Sequence, residues 1–156
     1  MSINFKSLLF HTLVPLMISF VIAMLIPNYQ DYYNSLNVPL RLPPIVFIIS
    51  WSILYIIIGV SAYLIENNKT KEETEINKAL RLYYIQLIIN FSYMIVAFWL
   101  RLITVAVLVT IALLVISIII VIKFYKINKV SGLLFVPYIL WLILANYIQI
   151  GIYFLN

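Results

Sequence analysis

The sequence predicts an all-α membrane protein, a bundle of five transmembrane helices in a single domain over residues 1–156. Three observations carry this. The chain is 65% hydrophobic and only 10% charged, whereas a soluble domain is nearer half apolar and about a quarter charged. Apolar stretches of about 20 residues, the length that crosses a bilayer, recur along it. The charged residues fall between those stretches rather than inside them.

The first span is Ser7–Pro27. Lys6 before it gives it the look of a secretory signal, but its apolar run from Leu8 to Ile26 is longer than such signals carry. It closes on Pro27-Asn28 with no small-x-small cleavage site, so it is read as a membrane span, bent locally at Pro15. The second is Pro44–Ile65: proline suits a first helical turn, so Pro43-Pro44 opens it, and Asn67-Asn68-Lys69 ends it. The third, Ala79–Leu100, follows the charged run Lys71-Glu72-Glu73-Thr74-Glu75. Arg101 separates it from the fourth, Leu102–Ile122. There Ala106, Thr110 and Ser117 share one face, which suits either helix packing or lipid. The fifth is Gly132–Leu155, whose helix should begin near Val136 because of Pro137.

The linker Asn28–Pro43 is the longest on its side and carries Tyr29, Tyr32, Tyr33, Pro39 and Arg41. A loop of this length with its own aromatic residues suits a lid over a site. A belt of tyrosines at the membrane interface is the other reading. Alternation of the spans puts Lys6, Lys69, Lys71, Lys78, Arg81, Lys123, Lys126 and Lys129 on one side, with only Arg41 and Arg101 on the other. Basic residues favour the cytoplasmic side, so the N-terminus is expected inside and the C-terminus outside. The net charge of +5 is accounted for by topology and anionic lipid, not by nucleic acid.

Several chemistries are disfavoured. There is no cysteine, hence no disulfide or thiolate chemistry. No acid lies in mid-span to relay protons. The single histidine, His11, cannot form a histidine metal cluster; it is expected at the interface and is at most a weak axial ligand for haem. Three glycines leave no phosphate-cradling loop. Trp99, at a span end, reads as an interfacial anchor.

What remains is a polar and aromatic set inside apolar spans: Trp51, Gln86, Asn90, Trp141 and Gln149. Hydrocarbon cannot satisfy an amide or an indole N–H, so such groups pair across helices or line a cavity. Residues three or four apart share a helix face. Trp51 and Tyr55 form one such face; Tyr83, Gln86, Asn90, Tyr93 and Ala97 form a second; Tyr138, Trp141, Ala145 and Gln149 form a third. Helix-to-helix adhesion worth about 0.6–2 kcal/mol per amide would explain Gln86 and Asn90. A cavity for a flat, largely apolar ligand with a few polar edges would explain them equally.

Ordered motifs add to this. They are Trp51-Ser52-Ile53-Leu54-Tyr55 followed by Gly59; Ala79-Leu80, Tyr83, Gln86-Leu87 and Asn90; and Pro137-Tyr138-Ile139-Leu140-Trp141 followed by Ala145. In this order on five spans the chain resembles the translocator protein family, TspO/MBR or tryptophan-rich sensory proteins, over nearly its whole length. It departs from the family pattern at Tyr32, Phe91 and Tyr93, where tryptophans are usual, and at Gln149, where asparagine is usual. The resemblance implies a five-helix bundle, commonly a homodimer, with a pocket closed by the first loop. It implies ligands such as porphyrins and haem-type tetrapyrroles, with sterol-like and synthetic ligands in some members, and no required cofactor. By position the pocket would involve Tyr32, Pro43, Trp51, Tyr55, Gln86, Asn90, Tyr93, Trp141 and Ala145. The expected function is ligand binding in a sensory or transport role. Light-dependent porphyrin breakdown through Trp51 and Trp141 is one alternative, and a structural or transport role without a tetrapyrrole is another.

Overall fold

The computed structural model describes residues 4–156. Its elements are α1 (Phe5–Leu25), α2 (Tyr29–Ser35), α3 (Pro44–Glu66), α4 (Glu73–Met94), α5 (Ile103–Ile127), α6 (Lys129–Leu134) and α7 (Val136–Leu155); α4 runs on into a π-helical turn, Ile95–Trp99. Five helical segments are long and apolar enough to cross a membrane: Phe5–Leu25, Pro44–Glu66, Glu73–Trp99, Ile103–Ile127 and Lys129–Leu155. The expected all-helical bundle of five spans is what folds.

Boundaries differ from expectation where charge marks the expected stop. The third span starts at Glu73 rather than Ala79, since Glu73 and Glu75 occupy a first helical turn, where acids complement the exposed amide dipoles. The fourth continues through Lys123 to Ile127, with Lys126 in the last turn, where a cation is favoured for the same reason. The fifth is two helices, broken at Phe135, with Pro137 in the first turn of α7 as Val136–Pro137 predicts. Pro15 lies inside a continuous α1. The first loop holds a helix, α2, that hydropathy does not reveal; it starts from Asn28 at φ 54°, a left-handed backbone that asparagine tolerates.

α1 packs mainly on α3, and α5 lies between α4 and α7. At the end of the bundle that holds the start of α1 and the ends of α3 and α5, backbones meet directly. A Cβ on Gly59 would lie 2.3 Å from the His11 carbonyl oxygen, and one on Gly132 would lie 2.6 Å from Tyr125 Cα. Close by, Ser61 and Ser131 each donate a hydroxyl to the other's carbonyl at 2.8 Å. Small residues permit this approach, and in hydrocarbon such packing and hydrogen bonding supply the association energy.

His11, near the start of the first span, faces inward. It is 1% exposed, stacks on Tyr84 at 6.0 Å, and places Nε2 3.3 Å from a Glu66 carboxylate oxygen that also accepts from Ser7. Ala106, Thr110 and Ser117 are buried, so the fourth span uses that face for packing, and Asn146 donates to the Thr110 carbonyl at 3.0 Å.

Candidate functional site

The opposite half of the bundle is held by rings. Trp51 and Tyr55, one turn apart on α3, have centroids 5.6 Å apart. Trp51 meets Tyr138 at 6.2 Å and Trp141 edge-on at 6.2 Å, both from α7. Phe47 continues the row from Trp141 at 6.0 Å, and Phe91 of α4 lies 6.2 Å from Tyr55. Edge-to-face pairs of this kind contribute about 0.5–1.5 kcal/mol each beyond their buried area.

A polar knot lies against this row. The Tyr138 hydroxyl accepts from the Asn90 amide at 2.7 Å and from the Gln86 amide, while the Tyr55 hydroxyl donates to Asn90 Oδ1 at 3.1 Å. Gln86 and Asn90, one turn apart on α4, are fully or nearly fully buried. Two groups here have no hydrogen-bond partner among the described residues: Gln86 Oε1 and the Trp141 indole N–H. A buried unpaired polar group costs about 1–3 kcal/mol. Helix adhesion accounts for the bonds among Tyr55, Gln86, Asn90 and Tyr138, while Gln86 Oε1 and the Trp141 N–H lie outside that network.

Above the knot, Tyr93 donates to Gln149 Oε1 at 2.9 Å. The lid follows. Phe98, in the π-helical turn, has the rings of Tyr29, Tyr32, Tyr33 and Tyr93 within 6.2–6.4 Å. Tyr33 reaches Phe47 at 5.9 Å, so ring contact runs unbroken from lid to interior. Arg41 holds the end of α2: it donates to the Leu36 carbonyl at 2.7 Å and to the Tyr33 carbonyl and Asn34 Oδ1 at 3.4 Å. Asn37 is tied to Asn156, its N–H donating to Oδ1 at 2.9 Å and its carbonyl accepting from Nδ2 at 2.8 Å. Pro39 lies against Gly151. The loop is thus anchored across the end of the bundle.

Of the residues singled out in the sequence, Trp51, Tyr55, Gln86, Asn90 and Trp141 come together. Tyr93 pairs with Gln149 in a separate layer toward the lid. Tyr32 packs on Phe98 and under the Arg101 guanidinium, while its neighbour Tyr33 is the lid residue that joins the aromatic row. Pro43 is an exposed helix start, and Ala145 is half-buried one turn beyond Trp141. Phe47 and Phe98 are the members that sequence reasoning missed, and Tyr138, placed on the fifth-span stripe, was absent from the expected pocket. Tyr138 had a signal, since it lies three residues before Trp141 on one stripe; the other two had none.

The interior is filled by its own side chains. The two best-defined hollows among the described residues are open grooves. One of about 390 Å³ lies between α3 and α7, with Ser50, Leu54, Pro137 and Trp141 in its wall. The other, about 630 Å³, lies at the far end beside Lys6 and Glu66, away from the aromatic row. Trp141 belongs to both the inner row and the outer wall, so one indole separates them.

Comparison with known proteins agrees with this architecture. The chain is 28% identical over 126 residues to Protein CrtK of Rhodobacter capsulatus, covering 80% of this chain and 78% of that protein. The TspO/MBR family pattern matches residues 11–155, reaching into all five spans, and the chain therefore belongs to the TspO/MBR family.

Proposed function

We propose that this protein binds a flat, largely apolar ring ligand of the porphyrin or tetrapyrrole class inside the bilayer, in a sensory or transport role. The observation that carries the proposal is the aromatic row Trp51–Trp141–Tyr138 set against two unmatched polar atoms, Gln86 Oε1 and Trp141 Nε1. Indole and phenol faces stack on a macrocycle, and a buried donor and acceptor can meet its polar edge. Because the rings are packed on each other, the ligand enters by spreading α3 from α7, two helices with few close backbone contacts between them. In this reading the N-terminus is cytoplasmic, following the basic residues, and the protein works as a homodimer.

Titration of detergent-purified protein with protoporphyrin tests this. A saturable shift of the porphyrin absorbance is expected, and Trp51→Phe with Trp141→Phe should weaken binding about tenfold or more, the scale of two stacking contacts. Unchanged affinity in the double variant would end the site assignment. Loss of porphyrin absorbance under light, abolished by either single change, would instead make the protein an enzyme. Failure to bind any tetrapyrrole would favour a structural or transport role.

A further inference from the structure

Arg41 and Arg101 are the only basic residues at the lid end of the bundle, and they are used differently. Arg41 spends its guanidinium on three acceptors at the end of α2. Among the described residues Arg101 has no ion pair and no side-chain hydrogen bond; its guanidinium lies over the Tyr32 ring, 4.6 Å from the centroid. Asp31, the acid of the lid helix, pairs with neither arginine.

The backbone at Arg101 is unusual as well. It takes φ 55°, a left-handed conformation that a long side chain rarely adopts. The turn is pinned on either side, Leu100 N–H donating to the Ile95 carbonyl at 2.8 Å and Leu102 N–H to the Val96 carbonyl at 3.0 Å. A non-glycine residue kept in this conformation invites a functional reading. Stacking on a ring face uses the flat side of a guanidinium and leaves its edge N–H donors free.

Arg101 is exposed at the lid end of the bundle, on the water side of the aromatic row. A flat ligand seated in the aromatic row must keep any carboxylate out of hydrocarbon. The ring contacts lead from Trp141 through Phe47, Tyr33 and Phe98 to Tyr32, and so to Arg101.

We propose that Arg101 is a specificity-determining residue that receives an ionised carboxylate on the ligand's edge. It selects carboxylated ring systems over neutral ones of the same shape and turns their acidic edge toward the lid. The fork of a guanidinium matches a carboxylate with two parallel hydrogen bonds. The inference rests on the ring-binding function proposed above.

The test compares protoporphyrin, a dicarboxylic acid, with its dimethyl ester, each titrated into the purified protein. Wild type is expected to prefer the diacid about tenfold or more, as a charge-assisted hydrogen bond would give. Arg101→Gly should bring that preference close to unity and leave ester affinity unchanged. Glycine suits φ 55°, so this variant keeps the turn. Arg101→Lys retains charge without the fork and should fall between. Equal binding of diacid and ester by wild type, or a preference untouched in Arg101→Gly, overturns the role of Arg101 while leaving the aromatic site standing. If neither porphyrin binds wild type, the binding function falls and this role with it.

Discussion

The two halves of the bundle are held together by different means. At the basic end, helices touch backbone to backbone through Gly59 and Gly132, and Ser61 and Ser131 share reciprocal hydrogen bonds. At the lid end, α3, α4 and α7 are kept apart by rings. Backbone contacts have one geometry and tolerate little change, whereas rings can swing between rotamers and repack. The first half is a clamp that fixes how the spans cross. The second is the region where the proposed ligand would exchange places with side chains.

The comparison breaks most readily at Gly59. A methyl group there would stand 2.3 Å from the His11 carbonyl oxygen and 2.8 Å from Thr12 Cα, and a backbone cannot step aside as a side chain can. Gly59→Ala should cost about 3 kcal/mol, the upper range for overpacking, seen as a marked fall in thermal unfolding temperature in detergent. Near-normal stability would show that the clamp is loose.

Tyr138→Phe tests the other half with a middling effect. It removes the acceptor of two buried amides, Gln86 and Asn90, and should cost about 1–3 kcal/mol, less than Gly59→Ala because rings and amides there can rearrange. A larger loss than at Gly59 would reverse the assignment of rigid and adaptable halves.

Gly151→Ala should have the smallest effect on stability. Its methyl would stand 2.2 Å from Pro39 Cγ, so the loop must shift against its anchor; the loop is exposed and the bundle crossing is untouched, so the expected cost is about 1 kcal/mol. Ligand exchange should quicken, measured as porphyrin dissociation by stopped flow. A stability loss as large as that of Gly59→Ala would mean that the lid belongs to the clamp.

The five spans were legible because hydropathy is a property of composition along the chain. Trp51, Tyr55, Gln86, Asn90 and Trp141 were legible because helical spacing sorts residues onto faces. Spacing does not say which face meets which. It could not show that the Tyr138 hydroxyl lies between Gln86 and Asn90, nor that His11 turns inward to Glu66. Phe98 was invisible for another reason: its place under the lid depends on a π-helical turn, which changes the direction of side chains at the end of the third span. The lid helix α2 was hidden because seven polar and aromatic residues carry no hydrophobic period.

The paired asparagines at the lid have a mechanical consequence. Through Asn37 and Asn156 the loop is fastened to the end of α7, the helix that carries Trp141 and Tyr138. A guest that wedges α7 outward therefore tugs the lid's anchor, and a load placed on the lid resists the wedge by the same free energy. A molecule that touches only the surface loop would in this way register whether the interior is occupied, and the protein could pass on a signal without releasing its ligand.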